Sequence, residues 1–118
     1  MSFKKFSFHV VASVTTEEDY SGLVTAMNEG AASLGNKVIV TLCQADRASA
    51  LIAGVYKYNV QVSGTVMSDD TYAGISDKLA AFASGLGEAV IVTLLSINQW
   101  VNQETMAIVE FDSEGNVI

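Results

Sequence analysis

His9 is the only imidazole in this chain of 118 residues, and imidazole is the side chain whose ordinary pKa suits acid–base chemistry near neutral pH. It lies in a stretch where apolar and polar residues alternate, which places further polar side chains on its side of a strand. One interpretation is a general base or ligand-orienting group in a polar pocket. The other residues of that candidate pocket are Ser7, Asn59, Gln61 and Ser63. The competing interpretation is a polar side chain on a solvated sheet face.

Cys43 and two acidic runs are the other residues that could do chemistry. Cys43 is the only thiol and has no neighbouring histidine, so a structural thiol is favoured over a nucleophile. One Cys and one His cannot supply a Cys/His zinc site. The runs Glu17–Asp19 and Asp69–Asp70 could each be half of a divalent-cation site, but charges at helix N-termini explain them better. The sequence therefore predicts no metal, no cofactor and no catalytic residue.

An internal repeat organises the chain. The stretch Lys5–Leu42 aligns with Lys57–Leu94 without a gap, and 13 of the 38 positions are identical. Residues related by this alignment, or by its extension at the same offset, are counterparts. A solenoid needs about three or more copies to bury its faces, so two copies favour one pseudo-symmetric domain. We expect a single domain over residues 1–118, with repeats at about 3–44 and 55–96.

Each copy reads as strand, helix, strand. A period of two is followed by apolar positions at helical spacing, and then by an apolar run. Thr16 and Ser68 are the expected helix N-caps, and Gly35 and Gly87 the expected left-handed C-caps. The first strands are centred on residues 6–14 and 58–66, the helices start near Tyr20 and Tyr72, and the second strands are Val38–Leu42 and Val90–Leu94.

This order predicts an α+β fold of the ferredoxin-like kind, β-α-β-β-α-β, as an antiparallel sheet with two helices on one face. Ala45–Gly54 would connect the two copies. The stretch Thr105–Phe111 is rich in Ile, Val and Phe, which predicts an added C-terminal strand.

The sheet face away from the helices needs a partner. The outer strands are apolar on both sides, as expected where both faces of a sheet are covered, and a contiguous apolar patch normally marks an interface. We expect a second subunit to pack on this face. The predicted interface residues are Ile39, Thr41, Cys43, Ile91, Thr93, Leu95 and Trp100. In the alternative, residues 45–54 or 97–111 of the same chain fold back over the patch.

The charge balance limits the partners. Charged residues make up 16% of the chain, against about 25% in a typical soluble protein, and the net charge is −7. A protein that holds a phosphate backbone needs clustered Lys and Arg, so we expect no nucleic-acid partner.

The apolar runs are shorter than the roughly 20 residues of a membrane span, and the alternation near the N-terminus favours a strand over a signal peptide. A cytoplasmic protein without a membrane partner is expected.

Three functions remain open. The favoured one is a non-catalytic interaction or assembly module, a homo-oligomer of two or more subunits that acts through protein–protein surfaces, with another protein as a further partner. A second is a ligand-binding or enzymatic dimer similar to the dimeric α+β barrels, with a polar pocket near His9. The third rests on Asp19–Leu23, which resembles the strand-to-helix opening of ACT regulatory domains. Those domains bind amino acids at subunit contacts, so this resemblance implies a small-molecule sensor.

Overall fold

The computed structural model describes residues 2–48 and 52–118. Within them, helices and strands follow the predicted order of two strand–helix–strand units. Their bounds are β1 Lys4–Thr16, α1 Tyr20–Ala32, β2 Lys37–Arg47, β3 Tyr56–Ser68, α2 Tyr72–Ser84 and β4 Ala89–Gln99. Each element of the second half begins and ends at the counterparts of the residues that bound the same element in the first half. The fold class is therefore α+β.

The strands form a four-stranded antiparallel sheet in the order β2-β3-β1-β4. In the central pair, Val10 lies opposite Val62, its own counterpart. An approximate twofold axis therefore passes between these two residues. Even-numbered positions from Phe6 to Thr16 are buried, and their odd-numbered neighbours are not, as the period of two predicted.

Both helices pack on the same face of the sheet and enclose the main core with it. Leu23 and Met27 of α1 and Ile75 and Leu79 of α2 are fully buried. Burying a side chain of this size stabilises the folded state by about 1.5–3 kcal/mol relative to leaving it in water. A small residue on one helix accommodates a large one on the other. A Cβ on Gly30 would lie 2.5 Å from the ring of Phe82, which is its counterpart in α2.

The helix N-caps lie three residues later than the sequence predicted. Thr16 and Ser68 are not N-caps but the last residues of β1 and β3, because the pairing of these two strands extends that far. Their buried hydroxyls accept hydrogen bonds from the amide N–H two residues further on, at 3.1 and 3.0 Å. The N-caps are Asp19 and Thr71, whose side chains accept from the amide three residues on.

The helices end earlier than predicted, with Ser33 and Gly85 as C-caps. Neither Gly35 nor Gly87 has a positive φ, so neither is a left-handed cap. Both are needed for a close approach to the sheet instead. A Cβ on Gly87 would lie 2.5 Å from a backbone carbonyl oxygen of β1, and one on Gly35 would lie 3.0 Å from a carbonyl oxygen of β3.

The connection between the repeats is shorter than the predicted Ala45–Gly54, because β2 continues to Arg47. Residues 49–51 of that connection lie outside the described residues. Ile52 and Val55 exchange two backbone hydrogen bonds, at 3.0 and 3.1 Å. The two residues between them, Ala53 and Gly54, have φ values of 54° and 83°, as a tight hairpin turn of type I′ requires.

The added strand predicted at Thr105–Phe111 is not formed. Met106 has a φ of 59°, in the left-handed region, and its amide donates to the carbonyl of Asn102 at 2.7 Å. This turn interrupts the extended conformation that a strand needs, so the region makes isolated bridges to neighbouring backbone rather than a continuous ladder. We refer to residues 100–118 as the C-terminal segment.

Candidate functional site

The candidate site is the open face, which we define as the side of the sheet away from the helices. Residues paired across an antiparallel sheet project to the same side, so the register gives four rows of four side chains on this face. The rows are Ile39–Thr65–Ser7–Asn98, Leu42–Ser63–His9–Ser96, Gln44–Gln61–Val11–Leu94 and Asp46–Asn59–Ser13–Ile91. Asp46 carries the single formal charge of these rows.

The five residues of the predicted polar pocket all lie on the open face, on the two central strands: Ser7, His9, Asn59, Gln61 and Ser63. Three of them are hydrogen-bonded to neighbours on the same face. The indole Nε1 of Trp100 donates to the Ser7 hydroxyl at 2.9 Å, and the Ser13 hydroxyl donates to the Asn59 side chain at 3.2 Å. The Ser63 hydroxyl lies 3.3 Å from that of Thr41.

His9 has an imidazole nitrogen that is not used. Its Nε2 is buried and has no hydrogen-bond partner in the part of the chain that the structure describes. A buried polar atom without a partner costs about 1–3 kcal/mol. A general base must also be within reach of the proton that it removes, and this nitrogen is shielded. The geometry of His9 therefore favours a structural role in the sheet over a role as a general base.

Thr41 and Thr93 mark two β-bulges at equivalent points of the outer strands. The pairing of β2 with β3 skips Thr41, and the pairing of β1 with β4 skips Thr93. Each threonine hydroxyl donates to a backbone carbonyl of the neighbouring strand, that of Ser63 at 3.2 Å and that of Val11 at 3.1 Å. An inserted residue reverses the alternation of sides beyond it.

The bulges correct two of the predicted interface residues. Cys43 and Leu95 lie opposite buried valines of the central strands, so both project toward the helices and not onto the open face. Leu42 and Leu94 take their places. Burial raises the pKa of the Cys43 thiol, which lowers its thiolate fraction and its reactivity.

Two apolar corners remain on the open face. Ile39 and Leu42 form one of them on β2, and Ile91 and Leu94 form the other on β4. The exposed fractions of the two isoleucines are 62% and 70%, and those of the two leucines are 37% and 42%. The corners are diagonally opposite, because the approximate twofold axis relates one to the other.

The C-terminal segment covers one end of the open face. Phe111 exchanges two backbone hydrogen bonds with Phe3, at 2.8 and 2.9 Å, and these two rings enclose Met67 in a second, smaller core. Trp100 packs edge-on against Phe111. The predicted alternative, in which residues 97–111 fold back over the apolar patch, is not seen: they cover this end of the face and leave Ile39 and Ile91 exposed.

Two clefts lie at the two ends of the open face, and His9 lines neither. The larger has a volume of about 290 Å³, the smaller about 180 Å³. Residues lining the larger cleft include Lys5, Lys37, Ile39, Thr65, Met67 and Trp100. Their counterparts line the smaller cleft: Lys57, Ala89, Ile91, Ser13, Thr15 and Ala48. The two clefts therefore occupy equivalent positions and differ in their side chains. Five of these six pairs lie in the repeat alignment and Ala48 with Trp100 lies in its extension, but the sequence-based predictions missed the relation.

The acidic runs do not converge. Glu17 and Asp69 begin loops at opposite ends of the sheet, since Thr16 and Ser68 end antiparallel strands. In residues 2–48 and 52–118, no three ligating side chains are grouped as a metal would require. Asp19, from the ACT-like stretch, accepts the Gly22 amide at 2.8 Å as a helix cap.

Comparison with known protein families, with curated protein sequences and with solved structures finds no match for this chain. Of the described residues, no helix is long and apolar enough to cross a membrane. The function is therefore argued from the open face itself.

Proposed function

We propose that the protein is a non-catalytic interaction module that assembles with copies of itself through the open face of its sheet. The observation that carries this proposal is the pair of apolar corners, Ile39 with Leu42 and Ile91 with Leu94, which are exposed in the single chain. Removing apolar area from water contributes about 25 cal/mol per Å², and the four central rows hold only the charge of Asp46 to oppose it.

The arrangement of the corners favours a second copy as the occupant. Strands lie about 4.8 Å apart and rise about 3.3 Å per residue, so each corner is displaced by similar distances across and along the strands. If two faces pack with their strands crossing near 90°, the symmetry axis follows a diagonal, and corner meets corner. If the strands align, Ile39 faces Asn98 or Asp46 of the other copy instead. Orthogonal sheet packing is a known arrangement, and it buries both apolar corners at once.

The same packing puts the polar centres of the two faces together. His9 and Gln61 are counterparts and lie next to the approximate twofold axis. In a face-to-face dimer they meet the same pair from the other copy, which can supply hydrogen bonds to polar groups of this region. This supports a wet, polar centre between two apolar corners.

We also infer that the chain consists of two repeats of one strand–helix–strand unit in the ferredoxin-like arrangement. The strand order β2-β3-β1-β4 and the element order support this inference. The constant offset between the bounds of corresponding elements, and the bulges at the counterparts Thr41 and Thr93, support it further.

A ligand-binding or enzymatic dimer with a pocket at His9 is the second candidate, favoured by the unpartnered Nε2 of that residue. This candidate uses the same dimer interface as the interaction module, but it binds a ligand at the polar centre between the two faces. The variant His9→Ala separates the two: in an interaction module it only weakens self-association, through hydrogen bonds lost at the polar centre, whereas a His9-dependent pocket loses its ligand.

The interface is tested by Leu94→Lys, which puts a charge into one corner while leaving the helix side untouched. We expect the dimer to weaken by about 2 kcal/mol or more per substituted corner, measured by light scattering over a concentration series. Ala80→Lys on the exposed side of α2 is the matched control and should leave the mass unchanged. Equal masses for Leu94→Lys and the parent chain at every concentration would count against the open face as the interface.

A further inference from the structure

The twin clefts have one framework and different chemistry. The smaller cleft has Ala48 and Ala89 where the larger has Trp100 and Lys37. The C-terminal segment adds a further wall to the larger cleft through residues 114 and 115, and the smaller cleft lacks this wall. The sheet alone thus forms a shallow cleft at each end. The larger cleft also contains a second lysine, the Trp100 indole and a wall from the C-terminal segment.

The larger cleft concentrates positive charge in a chain with a net charge of −7. Lys5 and Lys37 line it, and among the described residues neither has a carboxylate within 4.0 Å, that of Glu114 in the cleft wall included. The Lys5 ammonium donates to the Gly115 carbonyl at 3.2 Å and lies 4.3 Å from the centre of the Phe111 ring. These contacts fix its position and leave two of its three N–H donors free for an anion.

The rest of the lining is mainly apolar, with Thr65 and Glu114 as its other polar side chains. Ile39 is 62% exposed and Trp100 is 39% exposed, although both are large apolar side chains. The Nε1 of Trp100 already donates to Ser7, so the indole offers the cleft a ring face rather than a polar group. Met67 lines the inner end of the cleft.

We propose that this cleft binds a small monoanion with an apolar body, of the class of aryl- and alkyl-substituted carboxylates. The carboxylate pairs with Lys37 and Lys5, and the body lies against Trp100 and Ile39. A volume of about 290 Å³ fits a small molecule of this kind, at the lower end of ligand sites. The proposal goes beyond self-association. The cleft is formed by one chain, but it shares Ile39 with an apolar corner, so binding and subunit mass are measured on the same samples.

Trp100 is the only tryptophan, so its fluorescence reports the occupancy of the cleft directly. The probe is 3-phenylpropanoate, with 3-phenylpropanol as its neutral analogue and acetate as an anion without the apolar body. We expect a saturable change of the Trp100 emission with 3-phenylpropanoate and a much weaker response to the other two. No saturable change with 3-phenylpropanoate, or an equal response to the neutral alcohol, would overturn the proposal.

Paired variants locate the site. Lys37→Met keeps the apolar stem and removes the charge, and we expect it to weaken binding of 3-phenylpropanoate about tenfold. Lys57→Met is the matched control, because Lys57 is the counterpart of Lys5 at the other end of the same face. The result against the proposal is equal weakening by both variants, or none by Lys37→Met. The subunit mass of each sample, measured in parallel, keeps this outcome separate from that of self-association.

Discussion

The two ends of the open face are lined by counterpart positions and differ in their side chains and in their cover. At one end, the C-terminal segment packs on Phe3 and Met67, and the cleft contains Lys37 and Trp100. At the other, the counterparts of Met67, Lys37 and Trp100 are Thr15, Ala89 and Ala48, and no described residue is equivalent to residues 114 and 115 in the cleft wall. The comparison separates the framework that the two halves have in common from the features present at one end only, and the specific chemistry is concentrated in those features.

The two halves have the same elements, the same β-bulges and the same kind of helix cap. The bulged threonines Thr41 and Thr93 make the same hydrogen bond to a neighbouring carbonyl, and Asp19 and Thr71 cap their helices by the same contact. Substitutions at such counterparts should therefore have similar effects in both halves. Substitutions at the two ends of the open face should not.

The largest difference is expected between Met67→Ala and Thr15→Ala, two counterparts at the covered and uncovered ends. Met67 is buried under the C-terminal segment, so its truncation should lower the free energy of unfolding by about 2 kcal/mol or more. Thr15 is only partly buried, and its truncation should cost about 0.5 kcal/mol. Urea unfolding of both variants measures the two changes in the free energy of unfolding. Equal changes would contradict the claim that the two ends of the open face are packed differently.

A smaller effect is expected for Gly87→Ala and Gly35→Ala, which test the shared framework. Both place a Cβ against the sheet, so both should destabilise, by about 1–3 kcal/mol. Gly87→Ala should cost more, because its Cβ would lie 2.5 Å from a backbone oxygen, compared with 3.0 Å for Gly35. Thermal unfolding shows which of the two variants is less stable. If Gly87→Ala is as stable as the parent chain, the loop accommodates the Cβ and the proposed close approach is not required.

The smallest effect is a pH dependence of the C-terminal segment at the covered end. Backbone N–H groups, that of Asn116 first, donate to Asp112 and hold the pKa of its carboxyl below its usual value of 3.8. A lowered pKa in the folded state means that the ionised carboxylate stabilises the turn above that usual value, and that this stabilisation is lost as the pH falls through the lowered pKa. Acid should therefore loosen the C-terminal segment before the sheet.

Trp100 emission followed from neutral pH into acid detects this loosening, and far-ultraviolet circular dichroism follows the sheet. Asp112→Asn should remove the early acid transition of the emission. An unchanged transition in that variant would assign it to another carboxyl group.

The sequence predicted the order of the elements and the buried side of the central strands, because strict alternation from Phe6 to Val14 and its counterpart reflects one-sided burial. It placed Ile39 and Ile91 on the open face as the alternates of outer-strand residues that can face the helices. It misplaced Cys43 and Leu95, since a bulge inserts one residue without changing the composition of the strand, and the alternation beyond it is reversed.

The covered end could not be derived from local patterns. The apolar residues of Thr105–Phe111 resemble a strand, but the left-handed Met106 and the docking of Phe111 on Phe3 are decided by contacts between distant parts of the chain. The difference between the two clefts was present in the sequence as the pair Ala89 with Lys37 in the repeat alignment and the pair Ala48 with Trp100 in its extension. Recognising them required knowing that these positions lie at the two ends of one face.

Sedimentation equilibrium of the unmodified chain, at concentrations from about 1 to 100 µM, measures directly whether the open face is covered by a second copy. Self-association through the apolar corners predicts a mass that rises to twice the 12.5 kDa of the chain within this range. A mass of 12.5 kDa at every concentration would mean that Ile39 and Ile91 remain in water, and the proposed interface would be wrong.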